Sequence, residues 1–323
     1  MAHPPRRRED SYDDQGMLRI VSLIASATEI VHALDLGRWQ VGRSHECDFP
    51  ESVLGLPVCT RPAFRIDGDS AEIDRAVKAK LHSAASIYEV FGGVLGDLAP
   101  THIITQTQCK VCAVSLEDVE RELCQALPSR PRIVALEPNC LEDVWLDIGR
   151  VAGACGVPER AAALVASLRL EMEAISDRAL GAARRPSVAC IEWQEPIMAA
   201  GNWIPELVDM AGGINLFGRP GIHSPWLNWQ ELAAADPDVI VVSPCGFSLE
   251  RTAREMHWLT GREGWSQLKA VKGGHVYLVD GNQYMTRPGP RVAQSLRILA
   301  EIFHPDRFEP SLQGTAWVCS VPR

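Results

Sequence analysis

The sequence has little positive charge and no long apolar run. Its 32 Lys and Arg residues stand against 41 Asp and Glu residues, which gives a formal net charge of -9. Proteins that bind nucleic acid depend on clustered basic side chains, so this balance argues against a nucleic-acid partner. The run Arg6 to Arg8 is confined to a Pro- and Asp-rich leader at residues 1–17. No segment approaches the roughly 18 uninterrupted apolar residues of a bilayer-spanning helix, so we expect no membrane span.

We expect no secretion signal in this sequence, because no apolar stretch follows the basic residues near its start. Disulfides persist mainly in oxidising compartments, so we expect the ten cysteines to be reduced thiols in a cytoplasmic protein. A hydrophobic content of 46% with 23% charged residues is typical of a globular protein. The length of 323 residues suits two domains.

Common catalytic fingerprints are absent from the chain. There is no Gly-x-Ser-x-Gly elbow, no phosphate-binding Gly-x-x-x-x-Gly-Lys and no dinucleotide fingerprint after the first predicted strand. The sequence therefore indicates binding more than catalysis, and we predict no catalytic residue.

The chain does contain an alternation of short apolar runs and amphipathic stretches, which is typical of α/β folds. Arg19 to Leu23 predicts a buried strand, and Ser26 with Glu29 predicts a capping box at the next helix. A stretch from Pro158 to about Ala183 predicts one helix that is long for a crossover. We expect a disordered leader at 1–17, an α/β lobe at 18–157, the long helix at 158–184, a second α/β lobe at 185–305 and a tail at 306–323.

Chemically reactive side chains follow several of the predicted strands. Ligands of open parallel sheets bind outside the carboxyl ends of the strands, so these loops are the first candidates for a site. The second strand is followed by His45, Cys47 and Asp48, the fourth by Gln106, Cys109 and Cys112, and a second-lobe strand by Cys245 and Phe247. Both lobes thus present such residues at equivalent places.

Aromatic rings are concentrated in the second-lobe loops, where Trp203, Trp226 and Tyr284 lie in or beside loops and not in strand centres. A cleft for a large, flat, mostly apolar ligand needs such rings. The alternative is that they seal the interface between the lobes or cap a sheet.

The pair Cys109-x-x-Cys112 is half of a metal-site pattern. With His45 and Cys47 it supplies four ligands for tetrahedral zinc, or thiolates for an iron–sulfur cluster. The alternative is that these thiols are structural. A neutral His45 imidazole can ligate cobalt, or it can hydrogen-bond a neighbouring backbone group.

Several stretches between Arg19 and Pro305 resemble the cobalamin-binding branch of the iron-siderophore and cobalamin substrate-binding proteins of ABC transporters. The matching stretches are Arg19-Ile-Val-Ser-Leu23 with Ser26-Ala-Thr-Glu29, Val41-Gly-Arg-Ser44 with Asp48-Phe-Pro50, Leu207-Val-Asp-Met-Ala-Gly-Gly213, Pro237-Asp-Val-Ile-Val-Val242 and Arg287-Pro-Gly-Pro-Arg291. The resemblance implies an α/β fold of two Rossmann-like lobes bridged by a single long backbone helix, with a ligand cleft between them. It also implies that His45 replaces a cleft-lining aromatic ring, and that Trp226 and Tyr284 line the other side.

The sequence therefore predicts a binding protein for a cobalamin-like corrinoid or other metal chelate, with ABC transporter components as the partners that the resemblance implies. The predicted contacts are the rings of Trp203, Trp226 and Tyr284, the polar groups of His45, Asp48, Gln106 and Arg287, and the loop residues Cys47, Cys245 and Phe247. A rival hypothesis is a cytoplasmic enzyme or redox protein whose zinc or iron–sulfur cluster is held by Cys47, Cys109 and Cys112. A third is a scaffold that kept the fold and lost the ligand.

Overall fold

The first lobe contains a parallel sheet and a separate antiparallel ribbon. The structure, a computed structural model, describes residues 18–83, 86–107 and 129–320. The strands of this lobe are β1 (Ile20–Ser22), β2 (Gln40–Arg43), β3 (Thr60–Pro62), β4 (Tyr88–Val90), β5 (His102–Gln106) and β6 (Arg132–Leu136). Its helices are α1 (Ala25–Ala33), α2 (Ser70–His82), α3 (Gly92–Leu98) and α4 (Leu141–Ala154). The parallel sheet has the order β2-β1-β5-β6, and β3 pairs with β4 in what we call the ribbon.

One long helix, α5 (Pro158–Leu180), leads from the first lobe to the second. Proline suits its first turn because that position has no use for a backbone N–H donor. A buried apolar stripe recurs along α5 at helical spacing and consists of Leu168, Met172, Ile175 and Ala179. The stripe connects the cores of both lobes, since α5 packs on α4 and on the last helix of the second lobe. Within the described ranges, no helix is both long and apolar enough to cross a membrane.

The second lobe is built on a mixed sheet. Its strands are β7 (Ser187–Trp193), β8 (Met198–Ala199), β9 (Ile214–Asn215), β10 (Val239–Val242), β11 (Val276–Val279) and β12 (Trp317–Cys319). Its helices are α6 (Ile204–Met210), α7 (Trp229–Ala235), α8 (Leu249–Arg254), α9 (His257–Thr260), α10 (Lys269–Lys272) and α11 (Val292–Phe303). The order is β12-β11-β10-β7-β8, and β9 pairs with β7. The predicted fold class, two α/β lobes joined by one long helix, is confirmed.

The stretch from 306 to 320, which we predict as a tail, contributes to the second lobe. Strand β12 pairs antiparallel with β11 at the edge of the sheet. The fully buried carboxylate of Glu301 on α11 accepts hydrogen bonds from Ser311 Oγ (2.6 Å) and Trp317 Nε1 (3.0 Å). One buried anion therefore anchors the returning chain to α11.

Candidate functional site

The two lobes meet through four charged side chains, which we call the charge cluster: Glu29, Asp48, Arg287 and Arg291. Glu29 lies on α1 and Asp48 follows β2, while both arginines follow the π-helical turn Gly281–Met285 that comes after β11. The loops that leave the strands of both lobes thus converge, as expected for open parallel sheets.

Glu29 accepts from both arginines of the second lobe. Arg291 forms a bidentate ion pair with Glu29: its Nε donates to Oε2 (2.9 Å) and its Nη2 donates to Oε1 (2.6 Å). Arg287 Nη1 donates to Glu29 Oε1 (3.1 Å) and to Asp48 Oδ1 (2.6 Å). The side chains of Glu29, Arg287 and Arg291 are 2%, 4% and 9% exposed. Two cations and two anions therefore compensate each other; water scarcely reaches Glu29 and the two arginines, while the side chain of Asp48 is 32% exposed.

Amide side chains complete the hydrogen bonding of the charge cluster. Asp48 Oδ2 accepts from Asn282 Nδ2 (3.1 Å) and Gln283 Nε2 (2.7 Å), and Gln283 Oε1 accepts from Arg291 Nη1 (3.2 Å). Burial opposes the charge on Arg287, but the carboxylates of Asp48 and Glu29 raise its pKa above the ordinary value. The arginine predicted to orient a ligand is thus engaged by the opposite lobe.

Sequence reasoning missed the role of Glu29. The predicted capping box is not formed, because α1 starts after Ile24 without a side-chain cap and the Glu29 carboxylate turns to the second lobe. The hydroxyl oxygen of Ser26 is buried without a hydrogen-bond partner in the described structure. A short-range pattern matched the spacing of these two residues, while the partners of Glu29 lie more than 250 residues away. One signal could have revealed the pairing: no Asp or Glu lies between residues 281 and 300, so the two arginines of Arg287-Pro-Gly-Pro-Arg291 need acidic partners from elsewhere in the chain.

His45 lies against the ribbon of the first lobe. Its Nδ1 is 2.8 Å from the hydroxyl of Thr60 on β3, and its ring centroid is 5.4 Å from that of Tyr88 on β4. Burial, with a smaller effect from the charge of Arg43, lowers the pKa of His45 to about 4. The imidazole is therefore neutral at pH 7. Desolvation raises the pKa of the neighbouring Glu46 to about 7, against the opposing charge of Arg287.

Cys47 is buried beside the first-lobe sheet. Thr28 Oγ1 lies 2.9 Å and Ser44 Oγ 3.2 Å from its sulfur, and desolvation raises the pKa of the thiol. Its predicted metal partners Cys109 and Cys112 lie outside the described residues. Within the residues that are described, no group of three or more His, Cys, Asp or Glu side chains is placed to hold a metal ion.

The predicted aromatic contacts are distributed unevenly. Trp203 is buried in the second lobe, where its Nε1 donates to the carbonyl of Met285 (3.2 Å). Tyr284 is partly exposed, and the guanidinium of Arg291 lies 5.3 Å from its ring and 4.1 Å from the ring of Phe49. Phe49, which is 42% exposed, is a first-lobe aromatic that the sequence prediction missed although it adjoins Asp48. The tyrosine and the phenylalanine approach one arginine from opposite lobes.

Four predicted residues remain to be placed. The carbonyl of Phe247 accepts hydrogen bonds from the backbone N–H groups of Gly281 (3.0 Å) and Asn282 (3.1 Å), so its loop borders the charge cluster. Phe247 is buried against Trp193, with ring centroids 5.1 Å apart, while Trp226 is 55% exposed beneath the ammonium of Lys78 (4.8 Å). Cys245 is partly exposed, and its backbone N–H donates to the carbonyl of Glu192 (3.2 Å). Gln106 is buried at the end of β5. The structure thus brings Asp48, Tyr284 and Arg287 together. His45 lies on the same first-lobe loop, three residues before Asp48.

Comparisons with known proteins agree with this architecture. Residues 95–282, more than half of the chain, match the family described as periplasmic binding protein. The chain is 23% identical over 295 residues to the uncharacterized ABC transporter substrate-binding lipoprotein YvrC of Bacillus subtilis, covering 90% of this chain and 81% of the relative. It is 23% identical over 282 residues to the vitamin B12-binding protein of Vibrio cholerae serotype O1, covering 86% of each.

A solved structure shows the same fold. The periplasmic heme-binding protein RhuT from Roseiflexus sp. RS-1, in apo form, matches with a TM-score of 0.66 at 24% identity, covering 90% of this chain and 99% of that one. The predicted resemblance to substrate-binding proteins of ABC transporters is confirmed. This chain belongs to the periplasmic binding protein family.

Proposed function

We propose that this substrate-binding protein holds a cobalamin-like corrinoid between its lobes. The charge balance of the charge cluster carries the proposal. Arg287 and Arg291 are already paired with Glu29 and Asp48, so their charges are not available to the carboxylates of a ligand. A corrinoid presents uncharged amides at its rim, whereas a haem presents carboxylates. A balanced interface therefore favours the corrinoid, since a haem carboxylate placed there would meet no unpaired cation.

His45 supplies a second support. In the tautomer whose Nδ1–H donates to the Thr60 hydroxyl, Nε2 carries the lone pair that ligates a metal. The lowered pKa keeps the ring in this neutral form at pH 7. Tyr88 beside the imidazole, with Phe49 and Tyr284 at the lobe boundary, offers ring surface for a flat macrocycle. The vitamin B12-binding relative from Vibrio cholerae is consistent with this ligand class.

The proposal extends to the partner and the compartment. A substrate-binding protein of this family hands its ligand to ABC transporter components, and we propose such components as partners. In the part of the chain that the structure describes, no disulfide joins the cysteines. We also propose that the protein works in the cytoplasm, because its ten cysteines suit a reducing compartment, and fractionation of cells that produce the full chain would test this.

Optical titration of the purified protein tests the ligand. Aquacobalamin has an exchangeable axial water, so we expect a saturable absorbance shift as the imidazole replaces it, and weaker binding of hemin. The His45→Ala variant should lose the aquacobalamin shift, while a matched His82→Ala variant, which removes an exposed imidazole on α2, should keep it. No shift with aquacobalamin or cyanocobalamin, or tighter binding of hemin than of either, would contradict the proposal.

A further inference from the structure

A segment of the first lobe crosses onto the second lobe. We call residues 64–83 the strap; it leaves the ribbon after β3 and contains the whole of α2. At its base the ribbon places Tyr88 against His45. Farther along, α2 lies on the loop that follows β10, where Phe247 packs in the same apolar cluster as Ile73. The strap therefore spans the interface from the side of His45 to the loop of Phe247.

The beginning of α2 is held by side chains of the second lobe. Glu255 accepts a hydrogen bond from the backbone N–H of Ser70 at 2.7 Å. Trp193 Nε1 donates to the carbonyl of Ser70 (3.2 Å), and Arg251 Nη2 donates to the carbonyl of Gly68 (2.7 Å). A carboxylate at a helix N-terminus also interacts favourably with the helix dipole. These three hydrogen bonds, which we call the latch, hold the start of α2. Farther along the helix, the ammonium of Lys78 lies 4.8 Å from the ring of Trp226 in the second lobe.

The apolar attachment is small. It consists of Phe64, Ile73 and Val77 from the strap against Trp193, Met198 and Phe247 from the second lobe. This cluster is separate from the core that joins α4, α5 and α11. Its loss would leave the cores of both lobes intact, so the strap can separate without unfolding of either lobe.

The closed arrangement also has a cost. The hydroxyl of Ser70 is buried at the latch without a hydrogen-bond partner in the described structure. Buried polar groups without partners oppose the state that buries them. The latch and a small apolar cluster therefore hold the strap closed, while the burial of an unsatisfied hydroxyl opposes closure. Such a balance is expected for an element that exchanges between a closed and an open state.

We propose that the strap is a gate of the interlobe cleft and that the latch, through Glu255, keeps it closed: ligand enters and leaves after the start of α2 detaches from the second lobe. The gate rests on the proposed function, since it controls exchange at that site, whereas detachment of the strap does not require a ligand. The two claims can therefore be measured separately.

Hydrogen exchange on the ligand-free full chain tests the latch. In Glu255→Ala the Ser70 N–H loses a charged acceptor, so amide exchange over residues 70–82 should rise about tenfold or more, while α1 and β10 keep wild-type exchange. Glu250→Ala is the matched control, because Glu250 lies on the neighbouring helix α8 with an 83% exposed side chain. Trp193→Phe keeps an aromatic ring, removes the donor to Ser70 and should act in the same direction. Unchanged exchange over residues 70–82 in both Glu255→Ala and Trp193→Phe would overturn the latch.

Stopped-flow mixing with aquacobalamin tests the gate. Association and dissociation rates should both rise about tenfold in Glu255→Ala and stay at the wild-type value in Glu250→Ala, because opening precedes both steps. Faster strap exchange with unchanged ligand rates would overturn the gate alone. Absence of corrinoid binding in every protein, together with faster strap exchange in Glu255→Ala, would overturn the proposed function and support the latch.

Discussion

The charge cluster and the strap both join the lobes, but they do so with different chemistry. The cluster pairs two buried arginines with the buried carboxylate of Glu29 and with Asp48, whose side chain is 32% exposed, so removal of Glu29 leaves buried charges without their shared counter-ion. The strap uses a small apolar patch, hydrogen bonds to backbone groups and one partly exposed cation–ring contact between Lys78 and Trp226. Separation of the strap exposes groups that water can hydrate at modest cost. The comparison indicates that the cluster fixes how the lobes are placed, whereas the strap is the part that opens.

The largest expected effect is the loss of Glu29. In Glu29→Ala both arginines lose their shared buried acceptor, and we expect the free energy of unfolding to fall by about 3–5 kcal/mol. Urea denaturation followed by circular dichroism measures it. The control Glu173→Ala removes an exposed carboxylate on α5 and should change stability by less than about 0.5 kcal/mol. A decrease of less than about 1 kcal/mol in the free energy of unfolding of Glu29→Ala would mean that the charge cluster stabilises the lobe interface no more than the strap does.

A smaller and more local effect is expected from the apolar anchor of the strap. Ile73→Ala deletes buried methyl groups against Trp193 and Phe247, which costs about 2 kcal/mol. Because the strap opens by itself, the loss should appear in the hydrogen exchange of residues 70–82 and leave that of α1 unchanged. The control Arg75→Ala alters an exposed position of α2. Equal acceleration in the strap and in α1 would show that the two interlobe contacts open together.

The smallest effect concerns Glu301, a buried carboxylate whose partners all lie within one lobe. Burial opposes its ionisation, but hydrogen bonds from Ser311, Trp317 and Arg297 hold its pKa below the ordinary value. Because the pKa is lower in the folded state than in the unfolded chain, ionised Glu301 stabilises the fold at any pH above the unfolded-state pKa. This stabilisation is lost as the pH falls through the folded-state pKa. Glu301→Gln should lower stability by about 1–2 kcal/mol at pH 7 and flatten the acid side of the stability curve. Parallel wild-type and variant curves below pH 4 would contradict the assignment.

Local sequence signals predicted the secondary structure of both lobes well. The strand predicted at Arg19 to Leu23 contains β1, and the helix predicted from Pro158 to about Ala183 is α5, because apolar runs and amphipathic stretches depend on neighbours in the chain. The short elements of the ribbon were missed, since three-residue strands leave little pattern. Nothing in the sequence of the strap states that its helix lies on the other lobe.

The site was harder to predict, because it depends on contacts between distant segments. Asp48, Tyr284 and Arg287 do meet at the interface. Tryptophan is common both in ligand-binding clefts and in protein cores, and a sequence pattern does not distinguish these two environments. The indole of Trp203 lies in the core of the second lobe. Glu29 had a plausible local role as a cap, which concealed a partner in the other lobe. The ligand contacts of His45 and Cys245 stay predictions, as does any metal at Cys109 and Cys112.

The pairing of β12 with β11 has a practical consequence for work on this chain. A protein shortened after α11 would present β11 as an unpaired edge and leave Glu301 without the donors from Ser311 and Trp317. Exposed edges of this kind recruit other chains and promote aggregation. Expression plasmids should therefore retain everything up to Cys319, and an affinity tag placed at that end needs a spacer that keeps it off the sheet margin.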